Sequence, residues 1–231
     1  MRYLKKNMGK IIIGMLLICL VCVGTLTTKV FASDEYIVNS NLNAMMSEIN
    51  TMIEKHDASM QSSNPYDYIK NEHFNNIIGR GINALPVLTS ELNSSSENGL
   101  KEYILAIAVQ EITETSVNED AVNAWSNGKE WVEEWNKYLR NIPDKVQYVV
   151  NDTVNSFEQK EKELQSLGLM SLPYIKDFID KGHVEYQNVY NKIYQSALNG
   201  VSTLSVNNNK TEITSKELKT LRSLVEEVRA N

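Results

Sequence analysis

From residue 33 onward the apolar positions recur at intervals of three and four, and glycine and proline are scarce. That period places apolar side chains on one face of a helix, so the pattern predicts an all-α chain. Val38, Leu42, Met45, Ile49 and Met52 form one narrow stripe, suited to a first helix lying against a larger array. A stop and restart follow at Asn64-Pro65, with Asn placed as N-cap and Pro at the first helical position. A short helix through Tyr66, Tyr68 and Ile69 is expected next, and Gly79 and Gly81 should end the segment that carries Phe74, Ile77 and Ile78.

Two stretches share a skeleton. GINALPVLTSEL begins at Gly81, and GLMSLPYIKDFI begins at Gly168. In the first, Asn83 is expected to cap a helix with Pro86 in its opening turn and Leu85, Leu88 and Leu92 on one face. In the second, Pro173 takes the place of Pro86, and Leu172, Ile175 and Ile179 repeat that face. Ile77 and Leu164 correspond upstream. Each copy then passes through a polar break, SSSENG or DKGH, into a helix opening with Glu-Tyr: Glu102-Tyr103 and Glu185-Tyr186. A helical hairpin of this kind cannot bury its apolar face alone, which predicts stacking.

The stretches Ala84-Leu85-Pro86-Val87-Leu88 and Ser171-Leu172-Pro173-Tyr174-Ile175, each with its partner helix, resemble HEAT-like repeats. The chain is also similar to a group of exported helical proteins of single-membrane bacteria, which carry an Asn-Pro-Tyr-Asp-Tyr-Ile stretch before an Ala-Leu-Pro helix. The resemblance implies stacked helical hairpins in an irregular right-handed array, with copies near residues 74–114 and 161–198. It also implies an extended surface for another protein or a cell-envelope component.

Between the copies, residues 118–160 read as a helical insert. Gly128 to Arg140 carries Trp131, Trp135 and Tyr138 at i, i+4 and i+7. Asn141-Ile142-Pro143 is expected to break that helix before a second one runs toward Leu167, with Val146, Val149, Val150, Val154, Phe157 and Leu164 as its buried stripe. After a polar stretch, VNNNKTEIT, Thr214 and Glu217 form a capping box before a last helix over 214–230, suited to closing one end of the array.

The first 32 residues change the picture of where the chain acts. Arg2, Lys5, Lys6 and Lys10 precede an apolar run from Ile11 to Val23, and Val30-Phe31-Ala32 offers small residues for a peptidase. This reads as a signal peptide cleaved after Ala32, with a secreted or cell-surface product. The competing reading is an uncleaved N-terminal membrane anchor. Both cysteines, Cys19 and Cys22, lie in that run, so a cleaved chain would have neither disulfides nor thiolate chemistry. Without the five basic residues of the leader, 18 basic residues face 29 acids, a net charge of about −11. Such a surface repels phosphate backbones and anionic headgroups, so nucleic acid and direct lipid contact are disfavoured.

Candidate chemistry is thin. His56, His73 and His183 lie far apart, and the chain carries no HExxH, EF-hand, glycine-rich phosphate loop or GxSxG elbow. No metal or cofactor is expected, and catalysis is disfavoured. Trp131, Trp135 and Tyr138 are the candidate binding residues, either as an exposed stacking surface or as core. The sequence reading is thus 33–63 as N-terminal helix and linker and 64–231 as a HEAT-like domain that binds a protein or envelope component. An enzyme acting on wall material and a membrane-tethered structural protein are the alternatives.

Overall fold

The computed structural model describes residues 34–55, 64–115, 126–202 and 211–230, and helices account for all of their regular structure. The leader, His56, Trp125 and most of the VNNNKTEIT stretch lie outside the described residues. The helices are α1 (34–54), α2 (Glu72–Ile78), α3 (Leu85–Ser94), α4 (Leu100–Thr113), α5 (Gly128–Asn151), α6 (Phe157–Ser166), α7 (Leu172–Asp180), α8 (Gln187–Ser202) and α9 (Ser215–Ala230). None of them is long and apolar enough to cross a membrane.

The centre of the fold is α4. Six consecutive residues, Ile104 to Val109, are each no more than 1% exposed, as is Ile112 further along. A helix with no polar face must be covered on every side. Helices α2, α3, α5 and α8 provide that cover. Helices α3 and α4 pair across one short turn, α5 and α6 across a second, and α7 and α8 across a third. Helix α5 touches both α3 and α7, while α8 touches both α4 and α6. The region expected as an insert therefore contributes a hairpin of its own, and a boundary at residue 160 would fall inside α6.

The two similar stretches do adopt the same local structure. Gly81 has φ 54° and opens a 3-10 turn, Gly81–Asn83; Gly168 has φ 61° and precedes another, Leu169–Ser171. Each turn leads into a helix with proline in its first two positions, where a missing N–H leaves no intrahelical bond unmade. Asn83 does not cap α3, contrary to expectation. It belongs to the 3-10 turn, and Ala84 occupies the N-cap without a side-chain bond. The likeness ends at the partner helices, because Glu102 is buried in α4 whereas Glu185 is exposed in a 3-10 turn ahead of α8.

Helix α5 corrects the expected break at Asn141-Ile142-Pro143. It runs unbroken through Pro143 for 24 residues. Trp131, Trp135, Leu139, Ile142, Val146, Val149 and Val150 are all buried along it at helical spacing. Burial of about 1.5–3 kcal/mol per large apolar side chain outweighs the roughly 3 kcal/mol that an interior proline costs. The break falls instead at Asp152, which turns the chain by accepting from the Val154 N–H, and at Ser156, which caps α6 in a box with Gln159. Val154 and Phe157, expected in the buried stripe, are 90% and 44% exposed because this turn carries them outward.

The outer helices are tied on by polar contacts. On α1, Val38, Leu42, Met45 and Ile49 join the core, whereas Met52 is exposed. Arg80 pairs with Asp34 of that helix, and the two ring nitrogens of His73 face Asn41 Oδ1 at 3.1 Å and Glu48 Oε1 at 3.3 Å. The expected capping box of α9 is present: Thr214 N–H donates to Glu217 Oε2 at 3.0 Å and Glu217 N–H to Thr214 Oγ1 at 3.2 Å. This helix lies along α5 and α7 and reaches both glycine-led 3-10 turns. Arg229 Nη1 also donates to the Arg140 carbonyl at 2.9 Å, three residues before Pro143.

A Cβ on Gly168 would come within 2.7 Å of Thr115 Oγ1, whereas one on Gly81 would meet nothing within 4 Å. Both substitutions carry the left-handed backbone penalty of about 1–2 kcal/mol. Gly168→Ala should cost a further ~1–3 kcal/mol for the overlap. Denaturant unfolding of the two variants side by side checks this difference; equal losses would mean that Thr115 yields freely.

Candidate functional site

Among the described residues a groove of about 580 Å³ opens with a lining that comes from α3, α5 and α9. Both α3 and α9 pack on α5, and the space between them is left open. Pro86, Ser90, Asn93 and Ser94 line it from α3, spaced so that they follow one face of that helix. Ser223 and Glu227 line it from α9, one turn apart. Trp135, Asn136, Leu139 and Arg140 contribute from α5, with Leu224 and Val228 adding apolar surface. The volume falls within the roughly 300–1,000 Å³ of ordinary ligand sites.

Several of these polar groups have hydrogens committed to their own helices. Thr89 Oγ1 donates to the Leu85 carbonyl at 2.7 Å, Ser94 Oγ to the Glu91 carbonyl at 3.3 Å, and Ser223 Oγ to the Thr220 carbonyl at 2.9 Å. Their lone pairs stay available as acceptors. Asn136 Oδ1 is buried without a hydrogen-bond partner. The side chains of Ser90, Asn93 and Arg140 make no hydrogen bond or ion pair among the described residues. An unsatisfied buried acceptor costs about 1–3 kcal/mol, which a bound donor would recover.

The aromatic candidates sit beside this groove and take part in it only marginally. Trp131 is 0% and Trp135 2% exposed, with their rings stacked 5.2 Å apart at an interplanar angle of 14°. Tyr138 lies against the other ring, its centroid 5.3 Å from that of Trp135. It is half-buried, and its hydroxyl donates to the Leu167 carbonyl at 2.6 Å. Burial raises the Tyr138 pKa well above the ordinary tyrosine value, against the opposing bond from Thr115. The structure thus gives all three a packing role, and neither indole face is open to a ligand. Tyr186, Tyr190 and Tyr194 on the α8 side are buried as well.

The titratable groups nearest to an acid-base arrangement serve as ties. Glu102 is 3% exposed and accepts from Ser95 Oγ at 2.7 Å and the Gly99 N–H at 2.8 Å, closing the turn between α3 and α4. Burial by itself would raise its pKa, but the Ser95 and backbone bonds outweigh that and hold it below its ordinary 4.5. Gly128, at the start of α5, packs on this carboxylate's stem so closely that a Cβ would lie 2.5 Å from Glu102 Cβ. The His183 ring faces its neighbour Glu185, with Nδ1 3.3 Å from Oε1, and lies against the rings of Phe178 and Tyr186. Among the described residues no three His, Cys, Asp or Glu side chains gather at metal-binding geometry.

Compared with protein families, with curated proteins and with solved structures, the chain matches none. The groove residues Ser90, Asn93, Asn136, Arg140, Ser223 and Glu227 carry no signal in the sequence. Each is a polar residue on a helix, like any solvated one, until three helices bring them together.

Two outcomes follow for stability. Trp131→Ala should lose about 3–5 kcal/mol in denaturant unfolding, as expected for a fully buried indole; an unchanged midpoint would remove Trp131 from the core. Glu102→Gln should lose about 1–3 kcal/mol at neutral pH. A depressed folded pKa contributes stability above the unfolded value and loses it as pH falls through the folded one. The difference between Glu102→Gln and the unaltered protein should therefore shrink as pH drops below about 4.5, and a pH series of unfolding midpoints reads it directly.

Proposed function

We propose that this protein is an exported helical module of the HEAT-like kind, which binds another protein or a cell-envelope component at the groove between α3, α5 and α9. The observation that carries this reading is the set of groove side chains without structural employment. Ser90, Asn93 and Arg140 form no side-chain bond within the described fold, and the buried Asn136 Oδ1 beside them lacks a donor. Exposed side chains often lack partners, but here they converge on one concave surface with an apolar floor, which is how ligand sites are built. The shared geometry at Gly81 and Gly168 supports the HEAT-like assignment, with α5 and α6 as a further hairpin between the two copies in an irregular right-handed array. The basic and apolar pattern up to Ala32 supports export.

Mass spectrometry of the protein recovered from its source should find a chain that begins at Ser33; an intact N-terminus would favour a membrane-tethered structural protein. The binding site has its own test. The secreted form is immobilised beside its Ser90→Lys variant, in which an exposed residue of α3 carries a long side chain across the groove. Envelope material retained by the first and lost by the second, with equal unfolding midpoints, is the expected result. Retention by both would move the binding surface elsewhere on the molecule. Chemical change in the retained material would support the enzyme reading.

A further inference from the structure

We infer that α1 is a strap whose hold on the rest of the fold tightens when His73 takes up a proton; the inference does not depend on the groove. His73 belongs to α2, and 19% of its side chain is exposed. Its ring bridges two residues of α1 that lie seven apart and therefore share a face. Nδ1 is 3.1 Å from Asn41 Oδ1, and Nε2 is 3.3 Å from Glu48 Oε1. Both of these oxygens are acceptors, since a carboxylate has no hydrogen to give. The Asn41 amide is held in its orientation from two sides: Nδ2 donates to the Ile37 carbonyl at 2.8 Å, and Oδ1 also accepts from Asn76 Nδ2 at 3.2 Å.

A neutral imidazole carries one hydrogen and can meet only one of the two oxygens. Its other nitrogen then sets a lone pair against an oxygen lone pair. With hydrogen on both nitrogens the ring donates to both, and the Glu48 contact becomes one between opposite charges. Glu48 is the charged group that faces the ring from α1. On α2, Asn76 is uncharged and Glu72 precedes His73 in the chain. Asp34 and Arg80, the other charged tie on α1, pair with each other. Helix α4 packs on α2, and among the described residues none of its charged groups is within ion-pair distance of the ring. Between the two ties α1 is held by Val38, Leu42, Met45 and Ile49, and past Ile49 it has left the core, with Met52 and Ile53 exposed. The hold is thus fullest below the range in which histidines change charge, about pH 5 to 8, and is lost as pH rises through it. Opening the strap bares its apolar stripe and the surface beneath, on a chain whose proposed export would place it where the cell does not buffer pH.

The test uses the secreted form, residues 33–231, which contains every described residue and no cysteine. Val38→Cys places a thiol of similar size at a fully buried position of α1, and Val146→Cys does the same in α5 as a reporter away from the strap. Each thiol is labelled with 4,4′-dithiodipyridine at about pH 5.5 and about pH 7.5, on either side of the ordinary histidine value. Dividing each rate by that of the denatured chain at the same pH gives the opening equilibrium. Opening at Val38→Cys should be about threefold rarer at the lower pH, the size of one partly exposed charged contact, with no such change at Val146→Cys. Glu48→Gln should flatten the response while keeping α1 docked, because an amide can turn to donate to the neutral ring or accept from the charged one. His73→Gln should flatten it too. Equal opening at the two pH values in the otherwise unaltered chain overturns the inference, and so does an equal change at Val146→Cys, which would mean that the whole fold responds. A response that survives both substitutions belongs to another group and overturns it as well. One removed by His73→Gln but kept by Glu48→Gln would overturn the pairing of two acceptors on which the strap depends.

Discussion

Everything in this structure depends on covering α4. A helix buried from Ile104 through Val109 has no face that can be left to water, and no single partner helix can enclose it. The consequence is a fold in which neighbours arrive from both sides of the sequence: α2 and α3 from before it, α5 and α8 from after it. Ala106 and Ala108 leave room for close approach within this ring. The buried Glu102 at the head of α4 fixes the turn into it, and Gly128 brings α5 onto the same point without a side chain in the way. The centre and its entry are therefore set by one apolar helix and one satisfied carboxylate.

Helix α5 turns that local requirement into the shape of the molecule. Because it continues through Pro143, it is long enough to serve α3, α4, α7 and α9 in succession. Its buried stripe is what keeps the proline tolerable. The same proline removes a donor for the carbonyl of Leu139, and the adjacent Arg140 carbonyl is met by Arg229 from α9. The groove is a by-product of this arrangement, since two helices lean on one support without touching along their full lengths. Its floor is the outer edge of the core, and its walls are the outward sides of helices whose inward sides are committed to packing.

The division between core and groove also explains why the aromatic stripe misleads. Trp131, Trp135 and Tyr138 have the periodicity of a buried face and the chemistry of a binding surface, and periodicity cannot separate the two. Their environment decides it. The indoles stack on each other, and the tyrosine hydroxyl finds the carbonyl of Leu167 far along the chain. The polar residues that do line the groove are individually unremarkable in sequence, because nothing in a lone Ser90 or Asn136 announces the helix opposite.

What the sequence determined by itself is the local part. Period and composition specify an all-α chain, the stripe of α1, the likeness between the stretches at Gly81 and Gly168, and the capping box at Thr214 and Glu217. These depend on interactions within a few residues, or on one helix sorting its own faces, and so remain visible in a linear pattern. What the tertiary structure alone decided is the fate of Pro143, the outward turn of Val154 and Phe157, the burial of the indoles and the opening between α3 and α9. Each of these is settled by the sum of contacts from segments distant in sequence. A proline's local cost of about 3 kcal/mol is legible one residue at a time, but the burial that overrides it exists only once α3, α4, α7 and α9 are in place.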